Sequence, residues 1–337
     1  MSTPTTFAVQ IAPQRSTQYS DLVGDLAVAE VAASPLRHRA ADVTLRGIAG
    51  QDYVTFALQG LLSEEDRTLL ASLATLGNVF ELFDGLAGVE GPLLRPVAVA
   101  YPHALSPDIA SVRRYKGKTN ELFTLFLCNV AKFASAFAET PWRDLRVFDP
   151  LSGGGTTLFT ALSLGANAAG VERERGDAES TATFLTQFCR ESRVSVSVRE
   201  ERLRLIGAHR WQIRVGREKE DPRRCLIAAG DSAQSRDLLA GFGRPHLVVT
   251  DLPYGIQHDA PLADLLSRCL PVWAASIEPG GALAFSWDST RANRDEMAEL
   301  VEGLSPLRVV RDAPYGDLAH RVDRVIKRRD VIVARTG

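Results

Sequence analysis

Two spacings of apolar residues follow one another along the first hundred residues of the chain. Alternation by twos predicts strands at residues 7–11, 42–47, 53–57 and 78–83. Spacing by threes and fours predicts helices at residues 19–33 and 63–76, and the second opens on the capping pattern Ser-Glu-Glu-Asp. Strand, helix, two strands, helix and strand is the order of a ferredoxin-like fold, so we expect a small α+β domain over residues 1–100.

After a linker over residues 101–140, strand and helix patterns alternate to the end of the chain. Strands are predicted at residues 145–149, 168–171, 226–229, 246–250, 279–286, 307–311 and 329–334. This alternation predicts a Rossmann-like α/β domain over residues 141–337, with a doubly wound, mostly parallel sheet and an antiparallel closing pair of strands.

Residues 190–224 are more than one crossover helix requires. Alternation by twos at residues 194–198, 202–206 and 211–215 predicts an inserted β-ribbon with arginines on one face. The segment has 11 basic and 6 acidic residues, within a chain of net charge −2. Two interpretations of this excess stay open. One is a surface for an RNA backbone, and the other is a set of ordinary solvated strand faces. On the first interpretation the contacts are Arg202, Arg204 and Arg214.

A glycine-rich turn follows the first strand of the predicted sheet. Asp149 ends that strand, and Thr156 begins an apolar helical pattern. The turn lacks the spacing of a dinucleotide loop and the lysine of a phosphate loop, so it favours a nucleoside ligand without a pyrophosphate. Glu172 and Asp231 follow the next two parallel strands and would converge on this ligand, the first at a ribose diol and the second at an adenine amino group. The candidate ligand-binding residues are Asp149, Ser152, Gly153, Gly155, Thr156, Thr157, Glu172 and Asp231.

The strand at residues 246–250 leads into a second motif, Asp251-Leu252-Pro253-Tyr254. Proline fixes φ and has no N–H, so the turn after the strand is stiff. The Asp251 carboxylate and the Leu252 carbonyl can then accept both hydrogens of an exocyclic amino group. Tyr254 can stack on the ring that carries this group. These residue types predict a site that holds a planar amino group during methylation, although taken alone they also fit an ordinary strand and turn.

Residues 149–172 resemble the first two cofactor motifs of class I S-adenosylmethionine-dependent methyltransferases. Residues 251–254 resemble the (Asp/Asn)-x-Pro-(Tyr/Phe) motif of the amino-group methyltransferases. The segment Arg-Tyr-Lys-Gly-Lys-Thr-Asn-Glu at residues 114–121 is similar to the entry of the catalytic domain in the THUMP-associated tRNA guanosine-N2 methyltransferases. The resemblance implies S-adenosylmethionine as cofactor and no metal. It also makes Lys118 and Asn120 candidate substrate contacts.

The chain departs from that family in one respect, because residues 84–112 leave no room for a THUMP domain. The small N-terminal domain therefore fits a bracing role at least as well as substrate binding. The favoured function is methylation of an exocyclic amino group of a nucleobase, with guanosine N2 in tRNA or another structured RNA as the substrate. Two alternatives stay open. One is a DNA N6-adenine or N4-cytosine methyltransferase, which would flip its target base. The other is a small-molecule or peptide N-methyltransferase.

Composition favours a cytoplasmic enzyme. Hydrophobic residues make up 45% of the chain, yet no apolar run approaches the ~20 residues of a membrane span. The amino terminus lacks the pattern of a signal peptide. The four cysteines are widely spaced, without zinc-binding spacing, which predicts buried thiols in a reducing compartment.

Overall fold

The structure is a computed structural model that describes residues 4–12, 23–115, 117–253, 262–320 and 328–337. The chain divides into two compact units. The first comprises Met1–Pro102 and Arg311–Arg329, and the second comprises His103–Val310 and Asp330–Gly337. The second unit is therefore not continuous in sequence.

The described residues of the first unit form an antiparallel sheet and two α-helices. Its elements are β1 (Thr5–Ile11), α1 (Val23–Ala33), β2 (Ala41–Ile48), β3 (Gln51–Leu58), α2 (Glu64–Ala71), β4 (Leu76–Leu86) and β5 (Val89–Val97). The sheet order β2-β3-β1-β4-β5 confirms the predicted ferredoxin-like arrangement. The hairpin of β4 and β5 adds an edge strand that the pattern did not predict. The predicted capping box is present, because Ser63 and Asp66 each accept the other's backbone N–H at the start of α2.

The second unit holds a nine-stranded mixed sheet. Its elements are α3 (Asp108–Val112), α4 (Glu121–Ala134), β6 (Arg146–Asp149), α5 (Thr156–Leu164), β7 (Asn167–Glu172), α6 (Arg175–Glu191), β8 (Val196–Leu203), β9 (Ala208–Val215), β10 (Arg223–Ala229), α7 (Ser235–Leu238), β11 (Leu247–Asp251), α8 (Leu262–Ser276), β12 (Ala282–Asp288), α9 (Arg294–Leu304), β13 (Arg308–Val309) and β14 (Arg329–Arg335).

Five parallel strands form the centre of this sheet, in the order β10-β7-β6-β11-β12. The chain first adds strands on one side of β6 and then on the other, so β6 and β11 flank a topological switch point. Ligands of doubly wound sheets bind beyond the carboxyl ends of the strands at such a point. The antiparallel pair β13–β14 follows β12 in the sheet and confirms the predicted closing pair.

The inserted segment forms two strands rather than the three predicted. β8 runs through the charged residues 199–201, which are tolerated because β8 is the edge strand of the sheet. β9 pairs antiparallel with both β8 and β10, so the insertion extends the main sheet. The prediction of arginines on one face is wrong. Arg202 on β8 pairs with His209 on β9, so the two side chains share one face. Arg214 lies an odd number of positions after His209 on β9, so its side chain is on the other face. Arg204 lies in the turn between the strands.

The core of the second unit lies between the central strands and the helices on both faces of the sheet. Its largest fully buried side chains include Phe148, Trp273, Phe285 and Trp287. The prediction of buried thiols is confirmed for Cys128, Cys189, Cys225 and Cys269. Among the helices that the structure describes, none is long and apolar enough to cross a membrane.

Candidate active site

The glycine-rich loop after β6 has a backbone that only glycine adopts readily. Gly153 has a φ of 46° and Gly155 a φ of 87°, both in the left-handed region. The Ser152 N–H donates to the Val171 carbonyl at 2.9 Å and so ties the loop to the end of β7. The Ser152 hydroxyl is buried and has no hydrogen-bond partner within the described residues. A buried polar group of this kind favours a polar ligand at the loop.

The segment that precedes α4 covers this loop. The Tyr115 hydroxyl lies 2.6 Å from the Thr156 hydroxyl at the start of α5. A Cβ atom on Gly154 would lie only 2.3 Å from the Tyr115 ring, so the ring packs directly against the loop. Arg113 donates to the Gly154 carbonyl at 2.7 Å, and its guanidinium lies 5.6 Å from the centre of the same ring. Tyr115 belongs to the entry motif, but no separate role for its ring was predicted, and the contact of Arg113 with the loop was not predicted either.

Two predicted substrate contacts in the same segment, Lys118 and Asn120, bind neighbouring groups of the protein. The Lys118 ammonium donates to the Ser111 carbonyl at 3.0 Å and lies 3.4 Å from the Glu121 carboxylate. The Asn120 side chain accepts two backbone N–H groups of the first turn of α4, at 2.9 and 3.1 Å. Asn120 is therefore the N-cap of this helix, a role that Asn before an apolar helical pattern commonly has.

Asp149 is buried where β6 meets the glycine-rich loop. Burial raises the pKa of its carboxyl group to about 6, although hydrogen bonds, including those from the Thr157 side chain and the Leu151 backbone, oppose the shift. The Leu151 N–H lies 3.0 Å from the carboxylate. Thr156 and Thr157 are both buried at the start of α5. A nearby positive charge would favour the ionised form of Asp149.

Glu172 ends β7 beside the same loop. Its carboxylate accepts the Glu174 N–H at 2.9 Å. Burial raises the pKa of Glu172, while backbone hydrogen bonds from Glu174, Arg173 and Gly153 oppose this effect. The involvement of Gly153 places the carboxylate next to the loop, which is the arrangement that ribose binding requires in a doubly wound sheet.

Asp231 follows β10 and is more exposed than the other two carboxylates. One of its oxygens accepts the Ala233 N–H at 2.9 Å, and the other lies 3.2 Å from the Arg268 guanidinium. The Ala233 hydrogen bond and the Arg268 contact lower the pKa of Asp231, partly offset by desolvation. Asp231 is therefore ionised and already paired. An adenine amino group at this place would share the carboxylate with Arg268.

Two hydroxyl groups hold the Asp251 carboxylate at the end of β11. The Thr119 hydroxyl donates to one carboxylate oxygen at 2.6 Å, and the Ser286 hydroxyl donates to the other. Thr119 precedes α4, and Ser286 lies on the neighbouring strand β12. Each oxygen therefore has a fixed donor from a different element, which orients the carboxylate plane. Sequence reasoning assigned neither hydroxyl a role.

The rest of the acceptor motif is only partly described. The Leu252 side chain is buried, and its N–H donates to the Ser286 carbonyl at 2.9 Å. This bond extends the pairing of β11 with β12 beyond Asp251 and holds the backbone of Leu252 on the N-terminal side of the proposed acceptor carbonyl. Pro253 follows as the last described residue before a gap. Tyr254 lies outside the described residues, so its predicted stacking stays a prediction.

The two main motifs meet at the switch point between β6 and β11. β6 and β11 are parallel neighbours in which Val248 pairs with Phe148, so Asp149 and Asp251 end their strands at the same edge of the sheet. The negative charge of Asp251 also raises the pKa of Asp149. A cavity of about 230 Å³ opens further along the same edge, where β7 and β10 end. It is lined by Arg173, Arg175, Ile206, Gly207, Ala208, His209, Ala229, Gly230 and Gln234. In the described ranges, no group of three or more His, Cys, Asp or Glu side chains could hold a metal ion.

No protein-family model and no curated protein matches the sequence. Among solved structures, the chain is similar to TrmN from Thermus thermophilus, with 12% identity, 99% of this chain and 100% of that chain covered, and a TM-score of 0.45. It is also similar to the methyltransferase CcbJ from Streptomyces caelestis, with 13% identity, coverage of 70% and 99%, and a TM-score of 0.39. A third similar structure is the T. thermophilus 16S rRNA methyltransferase RsmC in complex with AdoMet and guanosine. Its identity is 14%, its coverage 87% and 58%, and its TM-score 0.37. Because the sequence identities and TM-scores are this low, a functional assignment depends on the residues of the site itself.

Proposed function

We propose that this protein is an S-adenosylmethionine-dependent N-methyltransferase that acts on an exocyclic amino group of a nucleobase. The favoured substrate is guanosine N2 in a structured RNA. One observation carries the proposal: the Asp251 carboxylate is held by Thr119 and Ser286 at the switch point, beside the strand that leads into the glycine-rich loop. An oriented carboxylate followed by a peptide carbonyl suits an amino group with two hydrogens to donate.

The residues of the loop fit the proposed cofactor. Gly153 and Gly155 let the backbone approach a ligand, and the buried Ser152 hydroxyl offers it a hydrogen bond. Asp149 and Glu172 supply negative charge and oxygen acceptors near the same loop. When bound, the cofactor would supply an electrophilic methyl group on a positively charged sulfonium. The absence of a dinucleotide or phosphate-loop pattern agrees with a ligand that has no phosphate.

The chain's own part in the reaction is to position and polarise the acceptor nitrogen. The lone pair of a nucleobase amino group is conjugated with the ring, so the nitrogen is a weak nucleophile. Asp251 and the Leu252 carbonyl accept its two hydrogens and favour a pyramidal nitrogen with an available lone pair. The Asp251 carboxylate would also stabilise the positive charge that develops on nitrogen as the N–C bond forms and the methyl–sulfur bond of the cofactor breaks. The nitrogen would then lose one proton, which Asp251 can accept and pass to solvent. Holding the acceptor nitrogen in place against the bound cofactor would contribute the rest of the rate enhancement.

Methyl transfer from labelled S-adenosylmethionine to separate pools of tRNA, rRNA, DNA and metabolites tests the proposal. We expect label in an RNA pool and, after digestion and mass spectrometry, in N2-methylguanosine. Label in N6-methyladenine or N4-methylcytosine of DNA would support the first alternative instead. Label confined to the metabolite pool would contradict action on nucleic acid.

The substitution Glu172→Ala should weaken binding of S-adenosylhomocysteine, the demethylated cofactor. A hydrogen bond to a charged group contributes about 1.5–3 kcal/mol, so its loss should raise the dissociation constant about 10-fold to 100-fold. Isothermal titration calorimetry measures this change. Glu174→Ala is the matched control, because Glu174 is an exposed acid whose side chain makes no cap hydrogen bond. Equal affinity of the wild type for NAD would contradict the cofactor assignment.

Cofactor binding should strengthen as the pH rises from 5 to 7.5. The raised pKa of about 6 means that Asp149 of the free protein is largely protonated at pH 5 and ionised at pH 7.5. A positively charged cofactor favours the ionised form, so binding releases a proton at low pH. Affinity should therefore increase by up to about tenfold across this interval. Calorimetry at several pH values measures the effect. Asp149→Asn should remove most of it, and a pH-independent wild type would contradict the role.

A further inference from the structure

Two groups of arginines lie on or beside the β8–β9 insertion. Each arginine of the first group has a carboxylate partner. Most of these arginines lie at the end of the insertion that is far from the turn, or on the strand face opposite to that of Arg202. Arg214 lies 2.7 Å from Glu218, and Arg217 lies 3.2 Å from Glu220. Arg199, Arg210 and Arg223 are likewise paired with acids of the same segment. The positive charge of this group is therefore largely neutralised within the protein.

The second group lies at the turn between the two strands or on the loop after β7, and it forms no ion pair within the described residues. Arg202 and Arg204 are exposed, and in the part of the chain that the structure describes neither forms an ion pair or a side-chain hydrogen bond. Arg173, on the loop after β7, is also exposed and forms no ion pair within 4 Å among these residues, while its positive charge helps to lower the pKa of Asp231. The nearby acids are occupied: Glu200 lies 3.1 Å from His209 and 3.8 Å from Arg175.

Strand register places this unpaired group at the edge of the candidate site. Leu203 and Ala208 flank the turn and pair with each other. His209 pairs with Ala229, which in turn pairs with Glu172 on β7. The turn therefore lies at the carboxyl edge of the parallel strands, the edge that also carries the glycine-rich loop and Asp251. Arg173 and the turn line the same cavity at the ends of β7 and β10.

We propose that Arg173, Arg202 and Arg204 form a docking surface for the phosphodiester backbone of the substrate RNA. The inference rests on the proposed function and adds the place where the nucleic acid is held. An exposed guanidinium without an ion pair binds phosphate without first breaking a contact, whereas a paired one must exchange a carboxylate for the phosphate. Three such groups at the rim of the site would orient a polyanion across it, although the chain as a whole has a net charge of −2.

Two double variants of equal charge test this surface. Arg202→Ser with Arg204→Ser removes two unpaired arginines at the turn, and Arg214→Ser with Arg217→Ser removes two paired arginines at the other end. Both lower the net charge by the same amount, so a difference between them reports position. The probe is a pooled tRNA and rRNA fraction, and affinity is measured by filter binding over a series of salt concentrations. Each lost phosphate contact lowers the slope of log K against log salt by about 0.7–0.9.

We expect the turn variant to lose about 1.5 units of slope and to bind RNA more weakly at low salt, while the remote variant keeps the wild-type slope. Both variants should bind S-adenosylhomocysteine like the wild type, which shows that they are folded. Equal slopes in the two variants would overturn the docking surface. They would leave the proposed function intact if the wild type methylates RNA. Cofactor binding without methyl transfer to any RNA would instead overturn the proposed function.

The turn also carries the fully exposed Leu205. Salt-independent RNA binding that is lost in Leu205→Ser would overturn the phosphate surface in favour of apolar docking.

Discussion

Replacing Asp251 with alanine is expected to lower turnover by about 10²–10³-fold, because removing one acceptor or donor that acts in the transition state typically has an effect of that size. The dissociation constant of S-adenosylhomocysteine should change little, since the carboxylate is proposed to face the acceptor nitrogen. Single-turnover rates with labelled cofactor and the RNA substrate measure the first quantity, and calorimetry measures the second. An Asp251→Ala protein that is folded, binds cofactor and keeps near wild-type turnover would contradict the amino-methyltransferase mechanism.

Five further variants should give turnover rates in a defined order. Asp251→Asn should be milder than Asp251→Ala, because the amide oxygen still accepts a hydrogen bond. Thr119→Val should fall between the wild type and Asp251→Ala, since it keeps the carboxylate and removes only the hydroxyl that donates to it at 2.6 Å. Thr119→Ser restores the hydroxyl and should recover most of the rate. The sequence motif further predicts that Tyr254→Phe keeps much activity, because the ring survives, whereas Tyr254→Ala does not.

The substitution Gly154→Ala should destabilise the second unit and weaken cofactor binding. The added Cβ would lie 2.3 Å from the Tyr115 ring, which cannot simply rotate away because its hydroxyl is bonded to Thr156 and Arg113 packs on it. Overpacking of this kind costs about 1–3 kcal/mol of unfolding free energy. Chemical denaturation measures the loss, and calorimetry with S-adenosylhomocysteine reports on the loop that Tyr115 covers.

Gly176→Ala is the matched control for this prediction. Gly176 lies in the first turn of α6, and a Cβ there would meet no atom within 4 Å. That variant should be neutral or slightly stabilising, because alanine is favoured over glycine in a helix by roughly 0.5–1 kcal/mol. Combining Gly154→Ala with Tyr115→Ala should cost less than the sum of the two single substitutions, since the second removes the clash. Strict additivity would show that the ring does not restrict this glycine.

Several candidate site residues could be placed at strand ends from the sequence because the signals for a strand end are local. Glu172 and Asp251 end β7 and β11 as predicted, since a β-branched or apolar run that stops at an acid marks a strand end within a few residues. The hydroxyls of Thr119 and Ser286 could not be assigned in this way. They reach Asp251 from 132 and 35 positions away in the sequence, and a single threonine or serine has no periodic signature. Asn120 lies before an apolar helical pattern, a position typical of an N-cap, and in the structure its side chain caps α4.

The sequence by itself determined the order of strands and helices and the acids that follow the strands, because hydrophobic spacing and turn residues act over a few neighbouring positions. The tertiary structure alone decided which charges remain available. Arg202 and Arg210 are indistinguishable in composition, yet strand register puts them on opposite faces, and within the described residues only Arg210 has a carboxylate within 4 Å, that of Glu201 on the paired strand. Pairing depends on distances between side chains in space. A shift of one residue in register exchanges the two faces of a strand, so no local pattern could have separated the two arginines.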